Sequence, residues 1–216
     1  MPVDEPPAEA IERRSRERGP EPAVFFPSPR GAGHWGWWSF AELAARLRAP
    51  VSLPAVPSGD GAPAVEELAA GVAARLAEPS AARGALAALD DLIAPGARRE
   101  ILVARRPWSH PFEAGLLTWA VARGHALVLE PVPAAWIPTL AWARPTLLAL
   151  AAGEIAPLTA ALRSLAPRWG RGRWLAARGA RLRNVLIEGE IGERVAEPLR
   201  EWAPGAAIHR LARPPG

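Results

Sequence analysis

ILVARRPWSHPFEAGLLTWAVARGHALVLE, residues 101–130, is the stretch that decides the fold. Ile101 to Ala104 and Ala126 to Leu129 are apolar runs of strand length, and Glu113 to Arg123 between them carries apolar residues at helical spacing. Gly124 stands directly after the helical pattern, at a position where helices often end. The pattern predicts a strand, a loop, a helix and a second strand, which together form a βαβ unit.

The rest of the chain repeats this alternation of strands and helices. Ala23 to Phe26 predicts a short strand, and Ser39 with Glu42 predicts the capping box of a helix that Pro50 closes. We predict further helices over 65–76, 82–93, 134–143, 157–165 and 194–202, and further strands over 146–150, 184–187 and 207–211. Apolar strands that alternate with helices indicate an α/β fold with a mostly parallel sheet and helices on both faces.

Composition divides the chain into a core and flanking segments. Residues 1–22 are rich in charge and proline, so we predict a loose segment with at most a helical turn or two. Residues 23–211 are predicted to form a single α/β domain, which contains a linker-like stretch rich in proline, glycine and serine over 50–63. Residues 212–216 are a tail.

The amino-acid usage excludes several classes of protein. There is no cysteine, which rules out disulfides, thiolate metal sites and a cysteine nucleophile. All 26 basic residues are arginine, and the net charge is only +4, so a sequence pI of about 11.1 reflects arginine in place of lysine. The chain contains neither a signal-peptide pattern nor an uncharged apolar run of about 18 residues. We therefore predict a soluble, cytoplasmic protein without a membrane span.

Four segments resemble the motifs of one enzyme superfamily, in the family's order. They are WSFAEL (38–43), similar to a thr-tyr-x-glu-leu helix start; PWSHPF (107–112), similar to a pro-leu-ser-his-x-phe-gly loop; RPT (144–146), similar to an arg-pro-thr strand start; and LRNVLIEGE (182–190), similar to a leu-arg-x-x-x-x-gly-gly-glu strand end. The chain thus resembles the adenylate-forming ligases, which include acyl-CoA synthetases, aryl-CoA ligases and peptide-synthetase adenylation domains. The resemblance implies part of the N-terminal domain of such a ligase.

The resemblance also implies an acyl pocket at the C-terminal strand ends. Its candidate residues here are Trp108, His110, Phe112, Gly189 and Glu190. By resemblance, His110 would line the pocket and control access to it, whereas its residue type and position also fit a loop histidine that packs on the sheet edge. The carboxylates of Glu188 and Glu190 could act in acid–base chemistry or bind magnesium, or could belong to a solvated turn.

The phosphate loop of the family is reduced to a remnant in this chain. The remnant comprises Ser58, Gly59, Gly61 and Pro63, and it is shorter than the family loop and lacks its lysine. Backbone N–H groups and cations hold a phosphate in such a loop, so the carboxylate of Asp60 would repel it. The same residues also fit a plain linker. We further expect no room after Leu211 for the family's adenine and magnesium motif or its C-terminal domain.

A basic patch offers a different kind of function. Arg168, Arg171, Arg173 and Arg178 alternate with Trp169 and Trp174 in the connection that precedes the strand at 184–187. Interleaved arginine and aromatic residues can hold single-stranded nucleic acid, and an acidic acyl carrier protein could use the same patch. A solvated loop in which guanidinium groups stack on indole rings is the plainer interpretation. The four histidines have no metal-ligand spacing, so we predict no metal site.

These observations favour a catalytically reduced acyl-CoA synthetase-like protein. We predict an accessory or acyl-binding protein, a pseudoenzyme of fatty-acid or polyketide-type metabolism, with an acyl carrier protein as a possible partner and no cofactor. An alternative is an active AMP-forming acid ligase subunit that uses ATP and magnesium and needs a complementary subunit. A second alternative is an arginine- and tryptophan-mediated nucleic-acid-binding protein. An exposed sheet edge would favour a homodimer.

Overall fold

The computed structural model describes residues 7–27, 35–48, 89–93, 99–104, 111–130, 135–166, 170 and 179–211. The strands in these ranges are β1 (Pro22–Pro27), β2 (Trp35–Ser39), β3 (Ile101–Ala104), β4 (Ala126–Leu129), β5 (Leu147–Ala151), β6 (Asn184–Glu188) and β7 (Ala207–Leu211). The helices are α1 (Pro7–Arg18), α2 (Phe40–Arg48), α3 (Pro111–Ala122), α4 (Trp136–Ala143), α5 (Ala152–Leu165) and α6 (Glu193–Trp202). Residues 89–92 are also helical.

The chain folds into two compact units. The first unit comprises residues 1–100 and 104–133, and the second comprises residues 101–103 and 134–216. In the first unit, β1 lies between β2 and β4, antiparallel to β2 and parallel to β4. In the second unit, the strands follow the order β3, β5, β6, β7, and each neighbouring pair is parallel. The predicted α/β class with mostly parallel strands is confirmed.

The core of the second unit consists of parallel strands, and a threonine forms hydrogen bonds at the point where three of them begin. Leu147 and Leu148 of β5 are fully buried, as parallel strands covered on both faces require. Thr146, which precedes β5, accepts a hydrogen bond at Oγ1 from the Ile101 N–H (2.7 Å). Its carbonyl oxygen accepts another from the Arg183 N–H (2.8 Å). The threonine of the Arg-Pro-Thr motif therefore fixes where β3, β5 and β6 begin.

Several element boundaries differ slightly from the predicted ones. β4 and β7 have the predicted bounds, whereas α3 begins at Pro111 instead of Glu113. Helix α5 begins at Ala152, five residues before the predicted start at Pro157. The Glu154 side chain explains the earlier start, because its Oε2 accepts a hydrogen bond from the Ala151 N–H (2.9 Å). The predicted helix over 65–76 lies outside the described residues.

The first unit contains a β-hairpin that the sequence did not predict. No strand was predicted directly before Ser39, but β2 lies there and pairs with β1 in antiparallel register, with Trp37 opposite Phe25. Gly36 makes this pairing possible, because a Cβ at that position would lie 2.3 Å from the ring of Phe26. The ring of Trp38 meets that of Phe26 edge to face at 5.5 Å, a favourable aromatic geometry.

The predicted capping box at the start of α2 is present. The Ser39 N–H donates to Glu42 Oε2 (2.8 Å), and the Glu42 N–H donates to Ser39 Oγ (3.1 Å). The two side chains thus satisfy two backbone donors that the first helical turn leaves without intrahelical partners.

Helix α1 occupies the region that we expected to be loose. It is 12 residues long, and Ala10 and Ile11 are 2% and 0% exposed. Arg14 donates to the Ala122 carbonyl oxygen (3.4 Å) and forms an ion pair with Glu17 (2.6 Å). The prediction of a loose segment was wrong, because it followed the charged composition and gave no weight to Ala10 and Ile11, which are buried.

The described helices are too short or too polar to cross a membrane. A transmembrane helix needs roughly 20 mostly apolar residues. None of the helices within the described ranges combines that length with that apolar character.

Candidate functional site

The C-terminal ends of three parallel strands align in the second unit. Ala151 at the end of β5 is paired with Glu188 at the end of β6, which in turn is paired with Leu211 at the end of β7. Ligands of α/β proteins bind outside this edge of the sheet, because the loops after the strands form a crevice there. This edge is therefore the candidate site.

A glycine turn closes the edge after β6. Gly189 has a φ of +96°, a backbone conformation that side chains disfavour. Its N–H donates a hydrogen bond to the Leu211 carbonyl oxygen (3.1 Å), which ties the turn to the neighbouring strand. A Cβ at Gly189 would lie 3.7 Å from the Cβ of Ala152, an ordinary contact distance. Glycine is therefore favoured at position 189 by its positive φ, and not by a lack of space for a side chain.

The two carboxylates around this turn have different environments. The Glu188 residue is 6% exposed, whereas Glu190 is exposed to solvent. The buried Ile191 follows and anchors the far side of the turn. Within the described part of the chain, no three histidine, aspartate or glutamate side chains form a group that could hold a metal ion. The turn therefore presents a single solvent-facing carboxylate at the candidate site.

Other carboxylates near this edge already have partners. Glu193, in the first turn of α6, forms ion pairs with Arg200 (2.6 Å) and Arg210 (3.7 Å). The hydrogen bond from Arg200 holds the pKa of Glu193 below its usual value. The carboxylate of Glu154 caps α5 through the Ala151 N–H. These contacts stabilise helix starts and strand ends.

Most of the predicted site residues lie outside the described part of the chain. Trp108 and His110 lie outside the described residues, and Phe112 is the second residue of α3. The phosphate-loop remnant (Ser58, Gly59, Gly61 and Pro63) and the basic patch (Arg168, Arg171, Arg173 and Arg178) also lie outside them. Gly189 and Glu190 occupy the strand edge where the sequence placed them. The roles of all these residues in an acyl pocket stay predictions.

Sequence reasoning missed a buried cluster in the first unit. His125 is 9% exposed, and its Nδ1 accepts a hydrogen bond from the Glu100 N–H (3.1 Å). Its ring lies 4.7 Å from that of Trp119. Burial lowers the pKa of His125 to about 4, so the imidazole is neutral at neutral pH. This geometry assigns His125 a structural role.

An aspartate beside this cluster joins two helical segments. Asp90 Oδ1 accepts hydrogen bonds from Trp119 Nε1 (2.9 Å) and Arg123 Nε (2.8 Å), and Arg123 also forms an ion pair with Asp90 Oδ2. Nothing in the sequence distinguishes Asp90 from Asp91, because only the fold brings one of them to the indole and the guanidinium.

Comparisons with known proteins add evidence about the fold. No family profile and no curated protein sequence matches the chain. Solved structures do match it. The nonribosomal peptide synthetase FmoA3, bound to AMPPNP, superposes with a TM-score of 0.68 and 15% identity over 99% of this chain and 32% of its own.

Two smaller proteins match over more of their own length. VinN in complex with L-aspartate has a TM-score of 0.64 and 11% identity, over 97% of this chain and 76% of its own. A putative long-chain-fatty-acid CoA ligase from Rhodopseudomonas palustris has a TM-score of 0.61 and 14% identity, over 95% of this chain and 74% of its own.

At 11–15% identity, these superpositions establish the fold alone. The matching structures include a nonribosomal peptide synthetase and a putative long-chain-fatty-acid CoA ligase, which cover 99% and 95% of this chain. This agrees with the four sequence motifs and with the parallel strands of the second unit. The chain has the fold of the adenylate-forming ligases.

Proposed function

We propose that this protein is a catalytically reduced relative of the adenylate-forming ligases that binds an acyl group or an acyl carrier protein as an accessory protein. The main support is that the fold of the ligases occurs here without a residue type that their chemistry uses. A ligase fold with a formed strand edge at Gly189 occurs in a chain of 216 residues that contains no lysine. The fold that would hold an acyl group is present, whereas the lysine that the family uses is absent from these residues.

The chemistry of adenylate formation explains why the missing cation matters. Attack of a carboxylate on a nucleoside triphosphate develops negative charge on the phosphates, and enzymes offset it with preorganised cations and N–H donors. Lysine provides a compact charge on a flexible stem, whereas arginine is planar and suits bidentate contacts, so the two are not interchangeable there. In the phosphate-loop remnant, Asp60 adds a negative charge that would oppose nucleotide binding.

Binding of an acyl group, unlike adenylate formation, does not require cations that stabilise charge on a triphosphate. The VinN structure contains L-aspartate, a carboxylic acid, and VinN shares this fold. We propose that the edge formed by β5, β6 and β7 holds a carboxylic acid or its thioester in the present protein. Gly189 would leave room beside Ala152 for the ligand, and Glu190 would lie at the rim of the site.

A carrier protein is the proposed partner. Acyl carrier proteins are acidic, and the basic patch would attract an acidic partner through long-range electrostatics. The cytoplasm, where such carriers are loaded, is the location that this proposal requires. Fatty-acid or polyketide-type metabolism would supply the acyl group.

Calorimetric titration tests the proposal. The ligands are MgATP, L-aspartate, and acetyl-, octanoyl- and benzoyl-CoA, each added to the full chain. We expect at least one acyl compound to bind and MgATP to bind at least tenfold more weakly. Gly189→Ala should weaken binding of the acyl compound. The control is Gly205→Ala, because nothing lies within 4 Å of a Cβ there. Tight MgATP binding without any acyl binding would contradict the proposal.

A further inference from the structure

A cavity of about 430 Å³ lies between α4 and α5 in the second unit. This volume is within the range of small-molecule sites, which is roughly 300–1,000 Å³. All the described residues that line it have uncharged side chains, and they include Ile137, Leu140, Ala141, Leu162, Leu165 and Trp202. An ion inside would lose its water without gaining a charged partner from these side chains. The lining therefore favours a neutral ligand that consists mostly of hydrocarbon.

The cavity is open to solvent on one side. Leu165 is 57% exposed, and Ala141 on the opposite helix is also exposed. Water in an apolar concavity makes few hydrogen bonds, so a hydrocarbon that displaces it gains free energy in proportion to the apolar area it covers. A ligand can thus enter from solvent and bury apolar surface.

One hydrogen-bond donor among the lining residues has no acceptor. Trp202 is the last residue of α6 and is 3% exposed. Its indole Nε1 is buried, and no atom of the described residues accepts a hydrogen bond from it. An indole N–H can only donate, and a buried donor without an acceptor destabilises the folded protein. A ligand that brings an acceptor oxygen to Nε1 would remove that cost.

The indole of Trp202 has room to turn toward such a ligand. Its Nε1 is covered by protein atoms, whereas the cavity leaves empty space beside the residue. The backbone there is held in place, because the Leu199 carbonyl oxygen accepts a hydrogen bond from the Ala203 N–H (2.8 Å). Rotation about the side-chain bonds is therefore the movement that would bring Nε1 to an acceptor in the cavity.

The cavity is separate from the strand-edge site. Gly189 lies beside Ala152, the first residue of α5, whereas Leu162 and Leu165 lie at the other end of that helix. Ten residues of α-helix separate Ala152 from Leu162, a distance of about 15 Å along the helix axis. A ligand in the cavity would therefore leave the strand edge accessible.

We propose that this cavity binds a neutral, hydrocarbon-rich compound with one acceptor oxygen, such as a ketone, whose oxygen accepts a hydrogen bond from Trp202 Nε1. The uncharged lining sets the hydrocarbon character of the ligand, and the unpaired indole donor sets its single oxygen. A carboxylate would be disfavoured here, which distinguishes the cavity from the strand edge. The proposal does not depend on the function proposed for that edge.

Three small probes test the chemistry of the ligand. Acetophenone has a carbonyl oxygen where α-methylstyrene has a methylene group, and benzoate has a carboxylate on the same ring. In calorimetric titrations of the full chain, acetophenone should bind saturably to one site at millimolar concentrations. Benzoate should bind at least about tenfold more weakly, because none of the described lining residues offers its charge a partner.

A thermodynamic cycle isolates the hydrogen bond. Acetophenone and α-methylstyrene differ in hydrophobicity, so the measured quantity is the ratio of their affinities in each protein. Trp202→Phe removes Nε1 and should shift this ratio against acetophenone by about two- to tenfold, the usual net value of a hydrogen bond. The matched control is Trp142→Phe, because Trp142 is 49% exposed and is not among the lining residues. It should leave the ratio unchanged.

Further variants locate the probes in the cavity. Ala141→Phe should lower the affinity of both neutral probes about tenfold or more, because its ring would overfill the space that they need. Ala160→Phe, on the exposed face of α5, should change neither affinity. If circular dichroism shows that Trp202→Phe does not fold, NMR of the wild type replaces it. Acetophenone, and not α-methylstyrene, should then move one indole N–H resonance downfield, and Ala141→Phe should abolish that shift.

Four outcomes would overturn the proposal. They are the absence of acetophenone binding at millimolar concentrations, equal binding by the Ala141→Phe and Ala160→Phe variants, an affinity ratio that Trp202→Phe leaves unchanged, and benzoate binding as tight as that of acetophenone. Sedimentation showing a wild-type dimer that Ala141→Phe converts to a monomer would also do so, by assigning this face to a second copy. Gly189→Ala should leave acetophenone affinity unchanged, so a failure here is distinguishable from a failure at the strand edge.

Discussion

The backbone N–H of Glu100 donates a hydrogen bond to Nδ1 of His125, at a distance of 3.1 Å. An imidazole nitrogen can accept this bond only while it carries no proton, so the contact requires neutral histidine. Burial is the main reason why the pKa of His125 is lowered to about 4. The carboxylate of Glu100 opposes this shift, whereas Arg14, Arg18 and Arg123 reinforce it.

Acid should therefore destabilise the protein through His125. The unfolded state takes up a proton near pH 6.5 and the folded state only near pH 4, so the stability present above pH 6.5 is lost as the pH falls between these values. The loss should reach about 3 kcal/mol, at about 1.4 kcal/mol per pKa unit. Urea denaturation at pH 7.5, 5.5 and 4.5 measures it.

The control variant is His125→Asn, whose Oδ1 replaces Nδ1 as the acceptor and does not titrate. Its free energy of unfolding should change much less than that of the wild type between pH 7.5 and pH 4.5, even if its absolute stability is lower. Equal pH dependence in the two proteins would show that other groups dominate the acid response.

Two glycines should respond in opposite directions to alanine. Gly189→Ala should lower the free energy of unfolding by roughly 1 kcal/mol, because alanine is strained at a φ of +96°. Gly153→Ala within α5 should raise it by about 0.5–1 kcal/mol, since nothing lies within 4 Å of a Cβ there. Thermal and urea denaturation measure both changes. Stabilisation by Gly189→Ala would contradict the strained turn.

Asp90 and Asp91 form a matched pair for mutation. Asp90→Ala should lower the free energy of unfolding by about 1.5–3 kcal/mol, because Trp119 Nε1 and the nearly buried Arg123 would both lose their acceptor. Asp91→Ala should have little effect, since Asp91 is exposed. Chemical denaturation distinguishes the two. Similar losses in the two variants would show that the contacts of Asp90 are not stabilising.

Thr146 can be compared with Thr159 in the same way. Thr146→Val removes the acceptor of the Ile101 N–H and should cost roughly 1–2 kcal/mol. Thr159→Val should cost less, because the Thr159 hydroxyl donates to the Ile155 carbonyl oxygen, an oxygen within α5 that helical hydrogen bonding also uses. Denaturation curves give both values. A larger loss at Thr159 would contradict the role of Thr146 as the start of three strands.

The sequence predicted the parallel part of the fold well, because its signals are local. β4 and β7 have their predicted bounds, and the capping box of Ser39 and Glu42 is present. The hairpin strand β2 was missed because its pairing depends on Gly36 fitting beneath a ring from another strand. Such a contact across strands leaves no periodic pattern in a single segment.

The candidate site was predictable only in part, for a similar reason. The motif at 182–190 placed Gly189 and Glu190 at a strand end, where the structure has them. The cavity could not be predicted, because its existence depends on the spacing between α4 and α5. The partners of Asp90 could not be predicted either, because only the three-dimensional packing brings Asp90, and not Asp91, to Trp119.

The proposed function requires that this chain cannot form an adenylate by itself. Exchange of labelled pyrophosphate into ATP tests this most directly, with the purified chain, magnesium, and a panel of aliphatic and aromatic carboxylic acids. We expect no exchange above the rate without protein for any acid. Acid-dependent exchange by the chain alone, reduced by Gly189→Ala, would contradict it.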